Sequence, residues 1–474
     1  MTIIKDIINQ NKRLSKIAEV IAELSHKTKT PSFLVGGCVR DLMLDPEKES
    51  IDIDIMVEGD GIQFAQQLAK KLNVRKVVPF PKFATAKIPY KECEIEVASA
   101  RLEIYDKSSR SPSSVTLADI KDDLMRRDFR VNAMAISLNK NNYGEFIDPF
   151  KGLDDLRNKV LRTPLDPDST FSDDPLRMVR AAYFASKLSL EINEECLLSM
   201  QRNCERIKIV SQERITNELF KILGTDKPSI GLDILQKVGL MEFVFNEISI
   251  MYGLDQSNEY HHKDIFYHTL EVVDNAATLS SKVELRLAAL VHDIAKPKTR
   301  RLNKVKGYTF YGHDDVGARM LKDISSRMKF ANITRDYISK LTALHLRPIS
   351  LAKKEVTDSA IRRLIVDAGE EIDDLMILCR ADITTKNPKN IAKYLGNFDR
   401  VEKRIKEVIE IDQLKAFQSP VRGDEIMKMF DLKPGKEVGK IKNMIEEAII
   451  NGDIKNDYSE ALSFLEKIKQ EKTK

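Results

Sequence analysis

The chain has 474 residues, of which 42% are hydrophobic and 32% charged, and this composition excludes a disordered or low-complexity protein. Its length predicts two to four domains, and its formal charge of +4 argues against a protein that binds nucleic acid through a strongly basic tail. The five scattered cysteines form no CxxC pair, which predicts reduced thiols in a cytoplasmic protein. The sequence has no signal peptide and no long apolar run, so we expect no membrane span.

The signals of secondary structure change along the chain. An amphipathic first helix is followed by a short β-rich run at Ser32–Val35, and alternating residues at Asp52–Val57 and Lys91–Val97 predict two further strands. Helical spacing dominates from about residue 150 onward. The sequence therefore predicts an α+β protein, with an α/β head and a long, mainly helical remainder. We place the head at residues 1–140, a helical neck and body at 141–250, a further helical domain at 251–400 and a helical tail at 401–474.

Gly36 and Gly37 stand between a predicted strand and a predicted helix. The missing side chains let backbone N–H groups approach a phosphate, and Arg40 adds a cation near the helix start. A pair of glycines is also common in ordinary turns, which is the alternative interpretation.

Asp52 and Asp54 lie two residues apart on a predicted strand, so both carboxylates point to one face. Two like charges so close are unfavourable unless a cation neutralises them, and oxygen ligands suit Mg²⁺. Glu94 or Glu96 on the later strand is the candidate for a third carboxylate, and we choose Glu96. A solvated strand face is the alternative.

A third cluster contains Arg126, Arg127, Asp128 and Asn132. Guanidinium groups bind phosphate through two hydrogen bonds, so arginines and an asparagine near a carboxylate pair suit a triphosphate and its sugar. A basic patch taken alone is more typical of a solvated face.

In this order, VGGCVRD, IDIDI and RRDFRVNAMA resemble the phosphate, metal and ribose-selecting motifs of the class II tRNA nucleotidyltransferase and bacterial poly(A) polymerase family. The resemblance implies a polymerase-β-like head and Mg²⁺-dependent nucleotidyl transfer. It implies catalytic roles for Asp52, Asp54 and Glu96. The nucleotide-binding residues that it implies in the head are Gly36, Gly37, Arg40, Arg126, Arg127, Asp128 and Asn132. The family usually has Thr at the position of Arg130.

Asp174 and Arg177 in the neck stand three residues apart, which predicts one shared helical face. An Asp acceptor beside an Arg donor can pair with the edge of cytosine or adenine, so the protein itself can select the base. A helix cap with a surface salt bridge is the alternative. By resemblance this is the base-selecting element of the family, which also includes Arg180; Tyr183 stands where the family has a further arginine. Further along, Glu213 and Arg214 match a family motif that we expect to brace the neck.

Six of the seven histidines lie between residues 261 and 345. The pattern H…HD…D resembles the HD metal-dependent phosphohydrolase superfamily. It implies a divalent metal site held by His268, His292, Asp293 and Asp382, with His313 and His345 as further candidates for a two-metal site. Such a domain is either catalytic or a structural or RNA-binding body.

Together these resemblances imply a CCA-adding enzyme that binds tRNA and uses CTP, ATP and Mg²⁺, without an obligatory protein partner. An HD domain after the neck occurs in some CCA-adding enzymes and is generally absent from poly(A) polymerases of this class. The alternatives are addition of CC or A only, poly(A) synthesis, and an HD phosphohydrolase with a tRNA-binding head. The loop from Tyr105 to Asp119 favours full CCA addition, because its loss accompanies CC-only enzymes in the family.

Overall fold

The protein is represented by a computed structural model that describes residues 7–8, 10–47, 52–91, 93–105, 112–255, 264–305, 307–352, 357–412 and 419–472. Two compact units divide the chain: Met1–Ile222 with Ile230–Val244, and Leu223–Ser229 with Phe245–Lys474. The boundaries of the four domains proposed from the sequence remain predictions. Within the described ranges, no helix has the length and apolar character needed to cross a membrane.

A seven-stranded mixed sheet forms the head of the first unit. Its strands are β1 (Ser32–Val35), β2 (Ile53–Val57), β3 (Val78–Phe80), β4 (Thr85–Tyr90), β5 (Cys93–Ser99), β8 (Ala135–Ser137) and β9 (Phe146–Ile147), in the order β3-β4-β5-β2-β1-β8-β9. Strands β2 and β5 run parallel, and the other neighbouring pairs are antiparallel. Because β2 lies between β1 and β5, the Gly36 turn and the acidic residues of two strands meet at the middle of the sheet.

Four helices and a β-ribbon complete the head. The helices are α1 (Lys12–Thr28), α2 (Gly37–Leu44), α3 (Gly61–Lys71) and α4 (Ile120–Met125), and the antiparallel ribbon consists of β6 (Arg101–Tyr105) and β7 (Pro112–Leu117). Apolar side chains at helical spacing on α1 and α3, such as Ile17, Ile21 and Leu68, are fully buried against the sheet. Of the predicted Tyr105–Asp119 loop, Tyr105 and Pro112–Leu117 belong to this ribbon, and residues 106–111 lie outside the described residues.

The rest of the chain is mainly helical. From the neck to the end of the first unit the helices are α5 (Gly152–Arg157), α6 (Pro167–Asp173), α7 (Leu176–Leu188), α8 (Glu194–Asn203), α9 (Gln212–Leu223), α10 (Pro228–Lys237) and α11 (Met241–Val244). A two-stranded parallel ribbon, β10 (Val160–Leu161) and β11 (Glu191–Ile192), joins this region. The expected α/β head with a mainly helical remainder is confirmed; the short ribbons are additions that the sequence patterns did not indicate.

The second unit consists of α12 (Asn246–Ser249), α13 (Ile265–Leu279), α14 (Val283–Val291), α15 (Lys296–Thr299), α16 (His313–Met328), α17 (Asn332–Leu344), α18 (Arg347–Leu351), α19 (Asp358–Ala368), α20 (Ile372–Ala381), α21 (Pro388–Asp412), α22 (Gly423–Phe430), α23 (Lys436–Asn451) and α24 (Tyr458–Lys472). An antiparallel hairpin, β12 (Arg301–Asn303) and β13 (Gly307–Thr309), precedes α16. Helices α13, α14, α17 and α20 pack together through buried side chains such as Phe266, Leu287 and Ile338. This packing brings the ends of helices that are far apart in sequence to one place.

Candidate active site and metal centre

The Gly-Gly turn makes room for an arginine of the third cluster. Gly36 has φ +70°, and a Cβ atom there would lie 2.6 Å from Arg127 Nη1 and 3.8 Å from Asp54 Oδ2. Arg40, one turn into α2, is buried and donates to Asn132 Oδ1 at 2.6 Å and to the Asp41 carboxylate. The turn therefore lies against both Asp54 and Arg127, and Arg40 holds the side chain of Asn132.

Three carboxylates of the head lie on adjacent positions. Asp52 is exposed immediately before β2, and Asp54 pairs in register with Glu96 across the parallel strands. Burial raises the pKa of Asp54 to about 6; Arg127 opposes this rise, whereas Glu96 and Asp52 add to it. A cation would relieve this repulsion, so the three side chains fit a divalent metal site.

Glu94 and Glu96 are on the same face of β5, and Lys87 lies between them. The Lys87 ammonium is 2.5 Å from Glu94 Oε1 and 3.6 Å from Glu96 Oε2. Glu94 is opposite Pro89 in the sheet and Glu96 lies beside Asp54. The geometry is consistent with the choice of Glu96 as the third carboxylate.

Arg126 and Arg127 are oriented by a carboxylate that the sequence analysis missed. Both donate to Asp123, which is 1% exposed, with Arg126 Nη2 at 2.5 Å from Oδ1 and Arg127 Nη2 at 2.9 Å from Oδ2. Although burial opposes the change, the two guanidinium groups lower the pKa of Asp123. The i, i+3 and i, i+4 spacing of these residues is the signal that could have identified Asp123.

Asp128 connects the head to the neck. Its Oδ2 accepts from Arg180 Nε and Nη2 at 2.9 and 2.6 Å, and its Oδ1 accepts from Asn132 Nδ2 at 3.0 Å. Burial favours the neutral acid, but Arg180 and the hydrogen bond from Asn132 lower the pKa of Asp128. The structure thus brings Asp128, Asn132 and Arg180 into one network.

The predicted shared helical face of Asp174 and Arg177 is a point of difference. Arg177 is in α7, whereas Asp174 has an extended backbone just before this helix. The reason is local, because a residue that precedes proline is restricted to extended conformations and Pro175 follows Asp174. Asp174 Oδ1 accepts from the Leu176 N–H at 3.2 Å, and Asp174 Oδ2 is 3.7 Å from Arg214 Nη2.

Arg177 is hydrogen-bonded to the head in this structure. Its Nη2 donates to the backbone carbonyl of Arg126 at 2.8 Å. The next arginine of α7, Arg180, is bound to Asp128. Two side chains on one face of α7 therefore hold the loop that carries Arg126, Arg127 and Asp128.

The arginines of the head and the neck line one cavity of about 650 Å³, a volume typical of a small-molecule site. Six of its side chains are basic and three are acidic. Its lining consists of Arg126, Arg127, Asp128, Asp174, Leu176, Arg177, Arg180, Arg214, Asn217, Glu218 and Lys221. The last four lie on α9 at i, i+3, i+4 and i+7, so they share one face of that helix. The sequence motif predicts a bracing role for Arg214, and the polar spacing along α9 is the signal that could have identified Asn217, Glu218 and Lys221 as lining residues.

The second unit contains a cluster of six metal-ligating side chains. His268, His292 and Asp382 form one group of three, and Asp293, His313 and His345 form another. Within each group the ligand atoms lie within 4.8 Å of one another. All six residues that the sequence assigns to the HD site are therefore brought together; His261 and His262 lie outside the described residues.

Each histidine of this cluster is oriented through a hydrogen bond at its Nδ1 atom, and its Nε2 atom lies close to other members of the cluster. The Nδ1 partners are Thr384 Oγ1 for His268 (3.0 Å) and the carbonyl oxygens of Ala289 for His292 (2.7 Å), Phe310 for His313 (2.7 Å) and Thr342 for His345 (2.6 Å). His292 Nε2 and Asp293 Oδ1 are buried and make no hydrogen bond of acceptable geometry among the described residues, although Asp293 Oδ2 and His313 Nε2, respectively, lie 3.1 Å away. Buried polar atoms normally have partners, so these two fit metal ligands.

Asp293 lies between the two groups. Its Oδ2 is 3.1 Å from His292 Nε2, its Oδ1 is 3.1 Å from His313 Nε2, and Lys296 Nζ is 2.5 Å from Oδ2. Burial lowers the pKa of His292, but the Asp293 and Asp382 carboxylates outweigh this effect and raise it to about 10. Burial and the nearby His292 lower the pKa of His345 to about 4. A carboxylate with one oxygen toward each group is suited to bridge two cations.

Three segments of the chain match known protein families. Residues 32–162 match the poly A polymerase head domain, residues 189–251 match the probable RNA and SrmB-binding site of polymerase A, and residues 265–387 match the HD domain. Divalent metals are used in both the head and the HD families, and the cluster of histidines and aspartates in the second unit is a candidate to bind them.

Curated relatives have related names. The A-adding tRNA nucleotidyltransferase of Aquifex aeolicus is 38% identical over 239 residues, which cover 48% of this chain and 28% of that protein. The A-adding tRNA nucleotidyltransferase of Deinococcus radiodurans is 28% identical (74% of this chain, 80% of that protein), and the multifunctional CCA protein of Shewanella frigidimarina is 29% identical (74% and 83%). The chain therefore spans less than a third of the Aquifex protein and about four fifths of the other two.

Among solved structures, the CCA-adding enzyme of Bacillus stearothermophilus in complex with CTP has a similar fold. The TM-score is 0.68 with 20% identity, over 97% of this chain and 98% of that chain. The chain therefore carries, in this order, the poly A polymerase head domain, the RNA-binding segment of polymerase A and an HD domain, and it is similar to tRNA nucleotidyltransferases.

Proposed function

We propose that this protein is a tRNA nucleotidyltransferase that adds C, C and A to the 3′ end of tRNA from CTP and ATP, without a nucleic-acid template. The observation that carries this proposal is the position of Arg127, which lines the cavity and also lies beside the Gly36 turn and Asp54. A triphosphate bound by the arginines of the cavity would thus have its reacting phosphate near the carboxylates of the head. Such an enzyme acts in the cytoplasm, where tRNA is processed.

Asp52, Asp54 and Glu96 would hold Mg²⁺ in this site, with oxygen ligands that suit a hard cation. When bound, Mg²⁺ lowers the cost of deprotonating the RNA 3′-hydroxyl and of releasing pyrophosphate. Arg126 and Arg127, both oriented by Asp123, bind the phosphates. The remaining reaction requirement is alignment of the two substrates, which the fixed guanidinium groups supply.

Base choice falls to the neck side of the cavity. Asp174 offers a carboxylate acceptor, and Arg177 and Arg214 offer donors, at a point where the cavity is open. Asn132, held by Arg40 and Asp128, is the candidate to bind the ribose. Amide and guanidinium groups with fixed partners keep one orientation, so they are suited to select between similar nucleotides.

Addition of A alone is the second candidate, because the Aquifex and Deinococcus relatives are both named A-adding enzymes. The two candidates share the same chemistry and differ only in whether CTP is accepted. The multifunctional CCA protein of Shewanella, which is as similar as the Deinococcus relative, favours full addition.

The test is extension of tRNA transcripts that end before the CCA, after C and after CC, with CTP, ATP or both, followed by sequencing of the 3′ ends. Full CCA on the first transcript supports the proposal, whereas A on the third transcript alone supports A-only addition. The double variant Asp52→Ala and Asp54→Ala should lose extension by at least about 10³-fold, and extension that survives it rules out this site. The control is Asp60→Asn, which changes a helix-capping carboxylate of the same unit.

Phosphoester hydrolysis at the HD cluster is a possible additional activity. His292→Ala removes a buried candidate ligand of this cluster. Loss of phosphodiesterase activity with retained nucleotide addition would assign hydrolysis to the second unit. Absence of hydrolysis by the wild-type protein with Mg²⁺, Mn²⁺, Ni²⁺ or Co²⁺ would assign the cluster a structural role.

A further inference from the structure

The hairpin of β12 and β13 is inserted between two residues of the metal cluster. Asp293 precedes it by eight residues, and His313 follows it by four. Lys296 Nζ, at the start of the connecting helix α15, is 2.5 Å from Asp293 Oδ2 and 5.6 Å from the centre of the Phe310 ring. The Phe310 carbonyl in turn accepts from His313 Nδ1. Both ends of the hairpin are therefore attached to the cluster.

This segment is strongly basic. Between Ile294 and His313 the sequence has six lysines and arginines and no acidic residue. In the described part of the chain, no carboxylate forms an ion pair with Lys298, Arg300, Arg301 or Lys304. Lys306 lies outside the described residues. The hydrogen bonds of Arg300 and Arg301 go to the backbone carbonyls of Asp255 and Arg300. Unneutralised cations this close together favour a polyanion.

Aromatic and apolar side chains alternate with these cations and face solvent. Leu302 is 74% exposed, Val305 92% and Tyr311 75%. The Arg300 guanidinium carbon lies 3.7 Å above the centre of the Tyr308 ring, which is a cation–π contact. Apolar side chains that are exposed to this extent contribute nothing to the core of the unit. They are the flat surfaces on which unpaired bases stack.

We propose that this basic hairpin, residues 298–305 and 307–311, binds single-stranded RNA and holds it at the mouth of the HD cluster. The cations contact the phosphates, and Tyr311, with the apolar tip at Leu302 and Val305, contacts the bases. The proposal rests on the proposed function in one respect, that the protein acts on RNA. It concerns a different surface from the cavity that selects CTP and ATP.

The position of the hairpin would place bound RNA next to the HD cluster. The hairpin lies between Asp293 and His313 in the sequence. An RNA strand bound along it would have its phosphodiesters next to these candidate metal ligands. Lys296 places a further cation at the cluster itself. An anionic membrane would also attract these charges, but RNA is favoured because the segment leads to a site whose ligands suit phosphoester chemistry.

The test uses the full-length protein and a 12-nucleotide uridine-rich RNA that contains one 4-thiouridine. Photocrosslinked peptides are identified by mass spectrometry, and affinity is measured by fluorescence anisotropy of labelled RNA at several salt concentrations. The variant is Lys298→Gln, Arg301→Gln and Lys304→Gln combined. Its matched control is Arg319→Gln, Lys322→Gln and Lys329→Gln, which removes the same charges from exposed positions of α16 and its C-cap.

Crosslinks to the peptide that contains Tyr308 and Tyr311 are expected in the wild-type protein. We expect the hairpin variant to bind at least about tenfold more weakly, and the slope of log K against log salt to fall by about 2, because three phosphate contacts are lost. The control should change neither quantity. Circular dichroism and the melting temperature verify that both variants are folded.

The proposal is overturned if the hairpin variant and the control bind alike, if the crosslinks lie elsewhere, or if wild-type protein prefers phosphatidylserine vesicles to RNA at equal charge. The failure of this proposal is distinguishable from failure of the proposed function, because CCA addition depends on Asp52 and Asp54 in the other unit. A hairpin variant with normal extension of tRNA and weak binding of the oligonucleotide separates the two.

Discussion

Glu94 and Glu96 have the same charge, strand and face, yet they have different neighbours. The parallel register of β2 and β5 puts Glu96 beside Asp54, and Lys87 is closest to Glu94. We therefore expect Asp54→Asn to lower kcat by about 10³-fold or more and Glu96→Gln to lower it by about 10-fold to 10²-fold, in single-turnover extension assays. Glu94→Gln is the matched control and should stay within about threefold. Equal losses in the two glutamate variants would contradict this assignment.

Asp128 is a buried carboxylate with charged and neutral partners. Asp128→Asn removes the charge that pairs with Arg180, whose side chain is 32% exposed. Removal of one partner of a buried ion pair costs about 3 kcal/mol or more, and partial solvation of Arg180 brings the expected loss to about 2 kcal/mol. The measurement is the urea midpoint of the transition of the first unit. Asp154→Asn, an exposed carboxylate of α5, is the control and should leave the midpoint unchanged.

The same pair predicts a dependence on pH. Because the pKa of Asp128 is lowered in the folded protein, its stabilisation is complete above the usual carboxyl pKa of 3.8 and is lost as the pH falls through the lowered value. The difference in stability between wild type and Asp128→Asn should therefore be constant from pH 7 to pH 5 and shrink below about pH 4. A difference that grows on acidification would show that Asp128 is not ionised in the folded state.

For individual residues, the sequence indicated which side chains belong to the candidate site better than it indicated their hydrogen-bond and ion-pair partners. The resemblance to the family implies that Asp54, Arg127 and Asn132 share one site, although they belong to two motifs that are far apart in the sequence. The link from Arg177 to the Arg126 carbonyl spans 51 residues, and the approach of Arg214 to Asp174 spans 40. No local pattern encodes such contacts, because they depend on how helices pack.

Among the secondary-structure elements, α5 and the 3₁₀ turn Arg130–Asn132 approach each other closely near the site. A Cβ atom on Gly152, at the start of α5, would lie 2.1 Å from the Arg130 carbonyl oxygen. Gly152→Ala must therefore displace the turn that carries Asn132, and it should cost about 1–3 kcal/mol. The melting temperature and the KM for ATP test this, since movement of Asn132 weakens nucleotide binding.

Gly396 provides the matched control for that substitution. It lies within α21, and no atom lies within 4 Å of the position of its Cβ. Gly396→Ala should raise stability by up to about 1 kcal/mol, because alanine has the higher helix propensity. If both glycine variants destabilise the protein equally, the close approach at Gly152 is not the cause.

The stripe on α9 shows what a sequence pattern can and cannot predict about an element. The spacing of Arg214, Asn217, Glu218 and Lys221 predicts that they share a face. It does not predict which neighbour that face meets, and a solvated face has the same pattern. Asp174 is the opposite case, because Pro175 in the sequence was sufficient to predict its extended backbone.

For the molecule as a whole, the metal cluster joins helices that are distant along the chain. His268 and Asp382 are separated by 114 residues in the sequence, and His268 Nε2 lies 3.0 Å from Asp382 Oδ1. We expect the purified protein to hold up to two divalent ions per chain, measured by inductively coupled plasma mass spectrometry. Chelation should destabilise the second unit, by about 2.7 kcal/mol where free metal had stood 100-fold above its Kd.

Two controls accompany metal removal: the variant His26→Ala and the nucleotide-addition activity of the protein. His292→Ala should lose the metal and the thermal shift, whereas His26→Ala, which changes an exposed histidine of α1, should retain both. Nucleotide addition should return when Mg²⁺ alone is restored. A chelated protein that melts at the same temperature as the metal-loaded protein would contradict the cluster as a metal site.

The hydrogen bond from Arg177 to the Arg126 carbonyl has a consequence for fidelity. A recognition site rejects a wrong ligand most strongly when that ligand leaves a buried donor without a partner. Arg177 Nη2 already donates to the Arg126 carbonyl, so an incorrect base does not leave this donor unpaired. A correct base that accepts a hydrogen bond from Arg177 replaces the bond to Arg126 and adds no further bond. Under the proposed function, discrimination between cytosine and adenine therefore depends more on Asp174, on its neighbour Arg214 and on the shape of the RNA end, and Arg177 contributes mainly to how tightly any nucleotide is retained.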